Sequence, residues 1–204
     1  MKKYLIGIDE VGRGPIAGPV SVGIVMIEKR RAKGILKKFL GAGLYDSKQV
    51  SEVKRGRIFE MAGECVAAEG RDAFTFIICS ITPKQIDKNG ISHSIRTAIK
   101  KGLQKLSADP EISDIKLDGL LKAPPEFKYQ ETIIKGDTKE PTIMLASVLA
   151  KVHRDNLMCK LSKKYPEYFF HKHKGYGTKL HYESIKKHGI SDIHRKTYVR
   201  FLEK

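Results

Sequence analysis

The sequence predicts an α/β protein, a mixed sheet packed by helices and followed by a basic helical tail. Three observations predict it. Two apolar stretches near the start, Tyr4 to Asp9 and Gly18 to Ile27, flank a glycine-rich turn, and β-branched residues dominate the second. Beyond them, segments with helical apolar spacing alternate with short strand-like runs. The last part of the chain loses strand character and turns basic: residues 151 to 204 hold 14 Lys and Arg against 5 Asp and Glu.

In chain order, the first two stretches form an N-terminal hairpin across Gly12-Arg13-Gly14, and Lys29 to Lys38 reads as a basic connector. Glu52 to Ala68 is expected to be helical and Ala73 to Ile81 a strand. From Gly90, the apolar residues Ile91, Ile95, Ala98, Ile99, Gly102, Leu103 and Leu106 recur at the spacing of an amphipathic helix packed by one face. Ile115 to Asp118 is a short strand ending at Gly119, and Thr132 to Ile134 another. Pro141 then opens a helix reaching about Lys164, with Asp137 just ahead of it. Two helices close the chain: Thr178 to His188, stopped by Gly189, and Ser191 to Leu202, with Ser191 as its N-cap. No internal repeat, low-complexity tract or long linker interrupts the pattern.

Composition excludes several classes. Apolar runs such as Ser21 to Ile27 fall far short of the roughly 20 residues that span a bilayer. Met1-Lys2-Lys3 is basic, but Ile6 to Glu10 runs into two carboxylates rather than a signal-peptide core, so a cytoplasmic protein is expected. Cys65, Cys79 and Cys159 are odd in number and form no C-x-x-C pair, which points to reduced thiols. His171-x-His173 with His181 lacks a nearby carboxylate or thiol and makes a poor zinc site. The charge is more telling: 39 Lys and Arg against 23 Asp and Glu leave +16. Such an excess suits a polyanionic partner, nucleic acid above all, although a generally basic surface is the plainer alternative. The C-terminal quarter is the expected surface for gripping a phosphate backbone.

The densest motif runs from Gly7 to Val20. Asp9 and Glu10 end an apolar strand, where burying their charge is unfavourable unless a cation compensates it, and a divalent metal would do so. The alternative is a pair of exposed turn residues. Gly12, Gly14 and Gly18 space as G-x-G-x-x-x-G beside two carboxylates, a poor match to a dinucleotide cradle. Asp118 ends its own strand, which leaves its carboxylate at a sheet edge beside Asp9. Asp137 with Glu140 three residues on has the spacing of a capping box, a structural alternative to catalysis. That all four acids sit at element ends argues against four independent structural roles. A basic, non-catalytic nucleic-acid-binding protein remains the competing class, because the charge alone would serve it.

The stretch Gly7 to Val20 resembles the opening motif of the ribonuclease HII family, D-E-A/V-G-R-G-P-x-A-G-P-V. Asp46-Ser47-Lys48 is similar to that family's D-S-K, and Lys135 to Lys139 to its K-G-D-x-K. Ala146 to Asp155 resembles its A-S-x-x-A-K-V-x-R-D helix. Gly175-Tyr176-Gly177-Thr178 with His181, and then His194-Arg195, resemble its closing elements. Glu140, where the family usually has Ser, and Met144-Leu145, in place of small Ala residues, depart from the pattern. The sister type, ribonuclease HIII, resembles the chain less, since its opening motif lacks Arg13 and it carries an additional N-terminal domain.

The resemblance implies a ribonuclease H-like mixed five-stranded sheet flanked by helices with a small helical C-terminal part. It divides the chain into a catalytic domain over 1–165 and a basic substrate-binding part over 166–204. It implies that Asp9, Glu10, Asp118 and Asp137 are catalytic and hold Mg²⁺ or Mn²⁺, with Asp9 bridging a two-metal centre. Substrate contacts are expected from Gly12, Arg13, Gly14, Lys48, Lys139, Ser147, Lys151, Lys172, Lys174, Tyr176 and Arg195. The expected substrates are RNA–DNA hybrids and DNA duplexes containing ribonucleotides, cut by a monomer to leave 3′-hydroxyl and 5′-phosphate ends.

Overall fold

The computed structural model describes residues 2–44 and 50–200. Five strands form one sheet in the order β3-β2-β1-β4-β5. β1 (Tyr4–Val11) and β2 (Val20–Glu28) make the expected antiparallel hairpin, with Asp9 opposite Gly23. β3 (Phe74–Ile81) runs antiparallel to β2. On the other side, β4 (Ser113–Asp118) runs parallel to β1 and β5 (Gln130–Ile133) parallel to β4.

Helices cover both faces, so β2 is buried along its whole length. Its residues alternate between two cores, as the pleat requires. Val22, Ile24 and Met26 meet Ile95, Ala98 and Ile99 of α4 (Ile91–Lys105). Val25 and Ile27 meet α1 (Lys29–Gly41), α2 (Glu52–Glu69) and α6 (Pro141–Lys164). α6 lies directly on β1 and β2. A Cβ at Gly7 would stand 2.3 Å from the Thr142 carbonyl carbon, and one at Gly23 2.3 Å from the Ala146 carbonyl oxygen. Two glycines thus set the depth at which the helix sits, and with it the place of Ser147 over the carboxyl end of β1.

Two expectations are corrected. Lys29 to Lys38 belongs to a helix: Ala32, Ile35, Leu36 and Phe39 are buried at i, i+3, i+4 and i+7, while the intervening basic residues face solvent. The helix expected from Ser191 shrinks to α9 (Lys196–Val199), and Leu202 lies outside the described residues. The backbone of 191–195 is engaged elsewhere: Gly18 N–H donates to Ile193 O, and Arg195 N–H to Ile16 O. Asp87, on α3 (Pro83–Asn89), receives the leading N–H groups of α9 from Lys196 and Thr197 at 2.9 and 3.0 Å.

A third apolar cluster joins Ile16 and Ala17 to Met158, Tyr168, Phe170, Ile185 and Val199. It folds α7 (Phe170–His173) and α8 (Lys179–His188) back against the β1–β2 turn. Thr178 is the N-cap of α8, accepting from the His181 N–H. Cys65 and Cys79 are buried and Cys159 is half-buried, all as free thiols. Among the described residues, no helix is long and apolar enough to cross a membrane.

Candidate active site

Parallel pairing of β1 with β4 brings the carboxyl ends of two strands together, since Ile8 stands opposite Leu117. Asp9 and Asp118, the next residue on each, therefore lie side by side at the sheet edge where open α/β sheets bind ligands. Asp137 arrives on α5 (Gly136–Lys139), the single turn after β5. Asp9, Glu10, Asp118 and Asp137 line one cavity of about 420 Å³. Ser147 and Lys151 from α6 also line it, and the half-exposed Tyr176 stands at its rim.

The acids are held in different ways. Asp118 Oδ1 accepts the backbone N–H groups of Gly136 at 2.6 Å and Asp137 at 3.3 Å, tying β4 to α5. Glu10 receives Arg13 at 2.8 Å. Asp9 is buried, takes the N–H of Glu10 at 2.7 Å and hydrogen-bonds the Ser147 hydroxyl. Burial pushes its carboxyl up to about 8; the Ser147 hydroxyl opposes this, and the charges of Glu10 and Asp118 add to it. Burial also raises Glu10, against the pull of Arg13.

A buried carboxyl raised by desolvation and by two neighbouring acids marks a site short of positive charge, and the acid donors are all hard oxygens. That donor set fits Mg²⁺ or Mn²⁺. Among the described residues no three His, Cys, Asp or Glu side chains are already gathered into a closed metal cluster. The four acids line a cavity instead, with part of their hydrogen-bonding capacity committed to Arg13, Ser147 and backbone. Glu140 is the N-cap of α6, its carboxylate accepting Thr142 Oγ1 at 2.9 Å. Met144 and Leu145 are core residues.

The segment from Gly12 to Pro19 that joins β1 to β2 is held by two buried arginines. Arg195 donates to the carbonyls of Gly12, Arg13 and Gly18 at 2.6, 2.9 and 3.0 Å. Arg154 donates to Pro19, Lys174 and Ala17 at 2.9, 3.0 and 3.3 Å. Gly12 has φ +90°, and a Cβ there would stand 2.3 Å from Arg154 Nε, so the turn needs glycine for both conformation and room. Arg195 was expected to touch substrate. It is fully buried with its guanidinium spent on main-chain carbonyls, so in this arrangement it shapes the turn instead. Arg13 and Gly14 are exposed beside the cavity, and Lys151 is tied to Asp155 at 2.9 Å.

Lys139 is exposed on α5, and Lys172 and Lys174 lie on and just after α7. Lys48 lies outside the described residues. The sequence reading missed Arg55, a cation of α2 that lines the cavity. Nothing in its local pattern distinguishes it from the other basic residues of that helix; only the packing of α2 against α6 brings it to the site.

The family model for ribonuclease HII matches residues 6–202. The ribonuclease HII of Clostridioides difficile (strain 630) is 40% identical over 197 residues, 97% of this chain and 70% of that one. The ribonuclease H2 of Pyrococcus horikoshii OT3 shares the fold with a TM-score of 0.70 at 24% identity, over 98% of this chain and 100% of that one. A Bst-RNase HIII solved in complex with Mn²⁺ aligns with a TM-score of 0.65 at 19% identity, over 91% of this chain and 63% of that one.

Proposed function

This chain belongs to the ribonuclease HII family, hydrolases that cleave RNA in RNA–DNA hybrids, and from that premise we propose that it also nicks duplex DNA on the 5′ side of an embedded ribonucleotide. One observation carries the reading: four acids from three segments line a single cavity beside a glycine-arginine-glycine turn whose Arg13 and Gly14 are exposed. Asp9, Glu10, Asp118 and Asp137 would hold two Mg²⁺ or Mn²⁺ ions, a reading supported by the oxygen-only donor set and by the Mn²⁺ complex of the Bst-RNase HIII. Bound divalent metals supply an activated water and neutralise the charge that develops on the phosphate.

The chain's own residues do the rest. Ser147 orients Asp9, and the Gly136 and Asp137 amides orient Asp118. A protein that separates RNA from DNA at one position reads the 2′-hydroxyl. The backbone of Gly12 to Gly14 serves that purpose, and Arg13 faces the adjacent phosphate. Tyr176, 42% exposed at the cavity rim, stacks on the sugar of the following deoxynucleotide. Lys139, Lys151, Lys172 and Lys174 contact backbone phosphates, and the protein acts as a cytoplasmic monomer with 1–165 as its catalytic domain.

The test uses an RNA–DNA hybrid and a DNA duplex with one ribonucleotide, each with and without Mg²⁺ or Mn²⁺. Metal-dependent cuts leaving 3′-hydroxyl and 5′-phosphate ends, placed 5′ of the ribonucleotide, are expected. Binding without cleavage under every divalent metal would leave only a nucleic-acid-binding protein.

A further inference from the structure

Behind Tyr176 lies a group of three histidines that the chemistry above does not use. His173, His181 and His194 are all buried. The rings of His173 and His181 stack with centroids 4.3 Å apart, and Phe170 packs edge-on against both. His181 and His194 face each other through their Nε2 atoms at 3.0 Å.

The hydrogen-bond partners decide which nitrogen carries each proton. His194 Nδ1 accepts the Ser191 N–H at 2.9 Å, so its proton is on Nε2 and is donated to His181. His181 Nε2 therefore accepts, and its Nδ1–H donates to the Tyr176 carbonyl at 2.8 Å. His173 Nδ1 accepts the Gly175 N–H at 3.2 Å, and its Nε2–H donates to the Tyr168 carbonyl at 2.8 Å. The backbone carbonyl of His173 receives the Tyr176 N–H at 2.9 Å. Burial lowers all three rings, His181 and His194 to about 4, which favours the neutral imidazoles that these bonds require.

The Gly175-Tyr176 backbone is thus gripped on both sides by imidazoles. Its anchorage continues to the other recognition segment, because Ile16 and Ala17 donate to the Gly175 carbonyl and Ala17 pairs with His194. We infer that His181 is a positioning residue for substrate selection, with His194 and His173 as its supports: the three imidazoles fix the backbone of Tyr176, and so the stance of its ring at the cavity rim. The inference rests on the reading of Tyr176 as the residue that selects an isolated ribonucleotide.

The experiment compares kcat and KM on a DNA duplex with one ribonucleotide and on a continuous RNA–DNA hybrid for His181→Phe, His181→Asn and Tyr176→Ala, below each variant's melting temperature. Phenylalanine keeps the ring volume but leaves the Tyr176 carbonyl without its imidazole donor, while asparagine keeps an N–H at the δ position. His181→Phe is expected to lower kcat/KM on the single ribonucleotide about tenfold relative to the hybrid, the scale of one hydrogen bond. His181→Asn should restore most of that ratio. If His181→Phe does not fold, His194→Phe takes its place, with a smaller loss of the same sign. A ratio unchanged in the histidine variants but altered in Tyr176→Ala overturns the inference alone. A ratio that Tyr176→Ala leaves unchanged overturns the reading of Tyr176 and the inference with it. An equal loss on both substrates, with no rescue by asparagine, shows a merely structural histidine and also overturns it.

Discussion

Asp9 shows how one residue's surroundings set its chemistry. Its carboxyl is buried among other acids, which raises it well above the usual carboxylate range, and a bound cation would favour its charged form. Asp9→Asn keeps the shape and removes the charge. Cleavage is expected to fall on the order of 10³-fold, the several kcal/mol that metal stabilisation supplies. Duplex binding should persist, and the metal-free protein should melt no lower than the parent. A variant cutting near the parental rate would remove Asp9 from the metal site. The four acids were legible because each sits at the end of an element, Asp9, Glu10 and Asp118 closing apolar strands and Asp137 just ahead of a helix, whereas the place of Arg55 and the gathering of the three histidines depend on tertiary packing. Those histidines carry a stability prediction of their own. His181 and His194 sit near 4 in the fold against about 6.5 unfolded, so the unfolded chain binds the extra protons. Their stabilisation is complete above about pH 6.5 and is lost as pH falls toward 4, by about 2 kcal/mol for each ring. The acids, Asp9 among them, have their own pH dependence, so the parent is compared with His194→Phe. The difference in Tm between the two should shrink from pH 7.5 to 5, and a constant difference would deny the coupling.

Elements were legible where one pattern dominated. The strands and the helices α2, α4, α6 and α8 emerge within a few residues of their expected bounds. α1 was hidden because basic residues outnumber its buried ones, although the apolar spacing was present. The 191–195 segment failed for a different reason: backbone bonding to the β1–β2 turn outweighs any local helical preference. Helix placement yields a paired test at two glycines. Gly23→Ala drives a methyl into the α6 backbone and should destabilise by about 2 kcal/mol. Gly63 lies on the exposed side of α2 with nothing near its missing Cβ, so Gly63→Ala should stabilise by about 0.5–1 kcal/mol. Urea midpoints measure both, and equal shifts of one sign would contradict the close helix–sheet contact.

At the scale of the whole molecule, the charge of +16 is unevenly spread, and residues 151–204 hold 14 basic side chains against 5 acidic ones. The fold gives that imbalance a direction. The third apolar cluster and the two buried arginines dock the C-terminal part on the β1–β2 turn that follows the strand carrying Asp9 and Glu10. Under the proposed function, the C-terminal part would grip a duplex phosphate backbone while the β1–β2 turn reads the sugar. Affinity carried by phosphate contacts falls with salt, because each contact releases bound counterions. Replacing Lys172 by Gln and Lys174 by Asn, which tolerates the left-handed backbone found there at φ 52°, removes two such cations. The Arg154 bond to the Lys174 carbonyl should be kept, since it involves only main chain on that side. The double variant should bind any duplex more weakly, and the slope of log affinity against log salt should flatten by roughly one unit per lost contact. The preference for an isolated ribonucleotide should stay where it was, since neither lysine lines the cavity in this arrangement. Titrations at several salt concentrations, with both substrates, separate the cases: an unchanged slope would make the two lysines solvated bystanders, and a changed preference would place them in selection beside Tyr176.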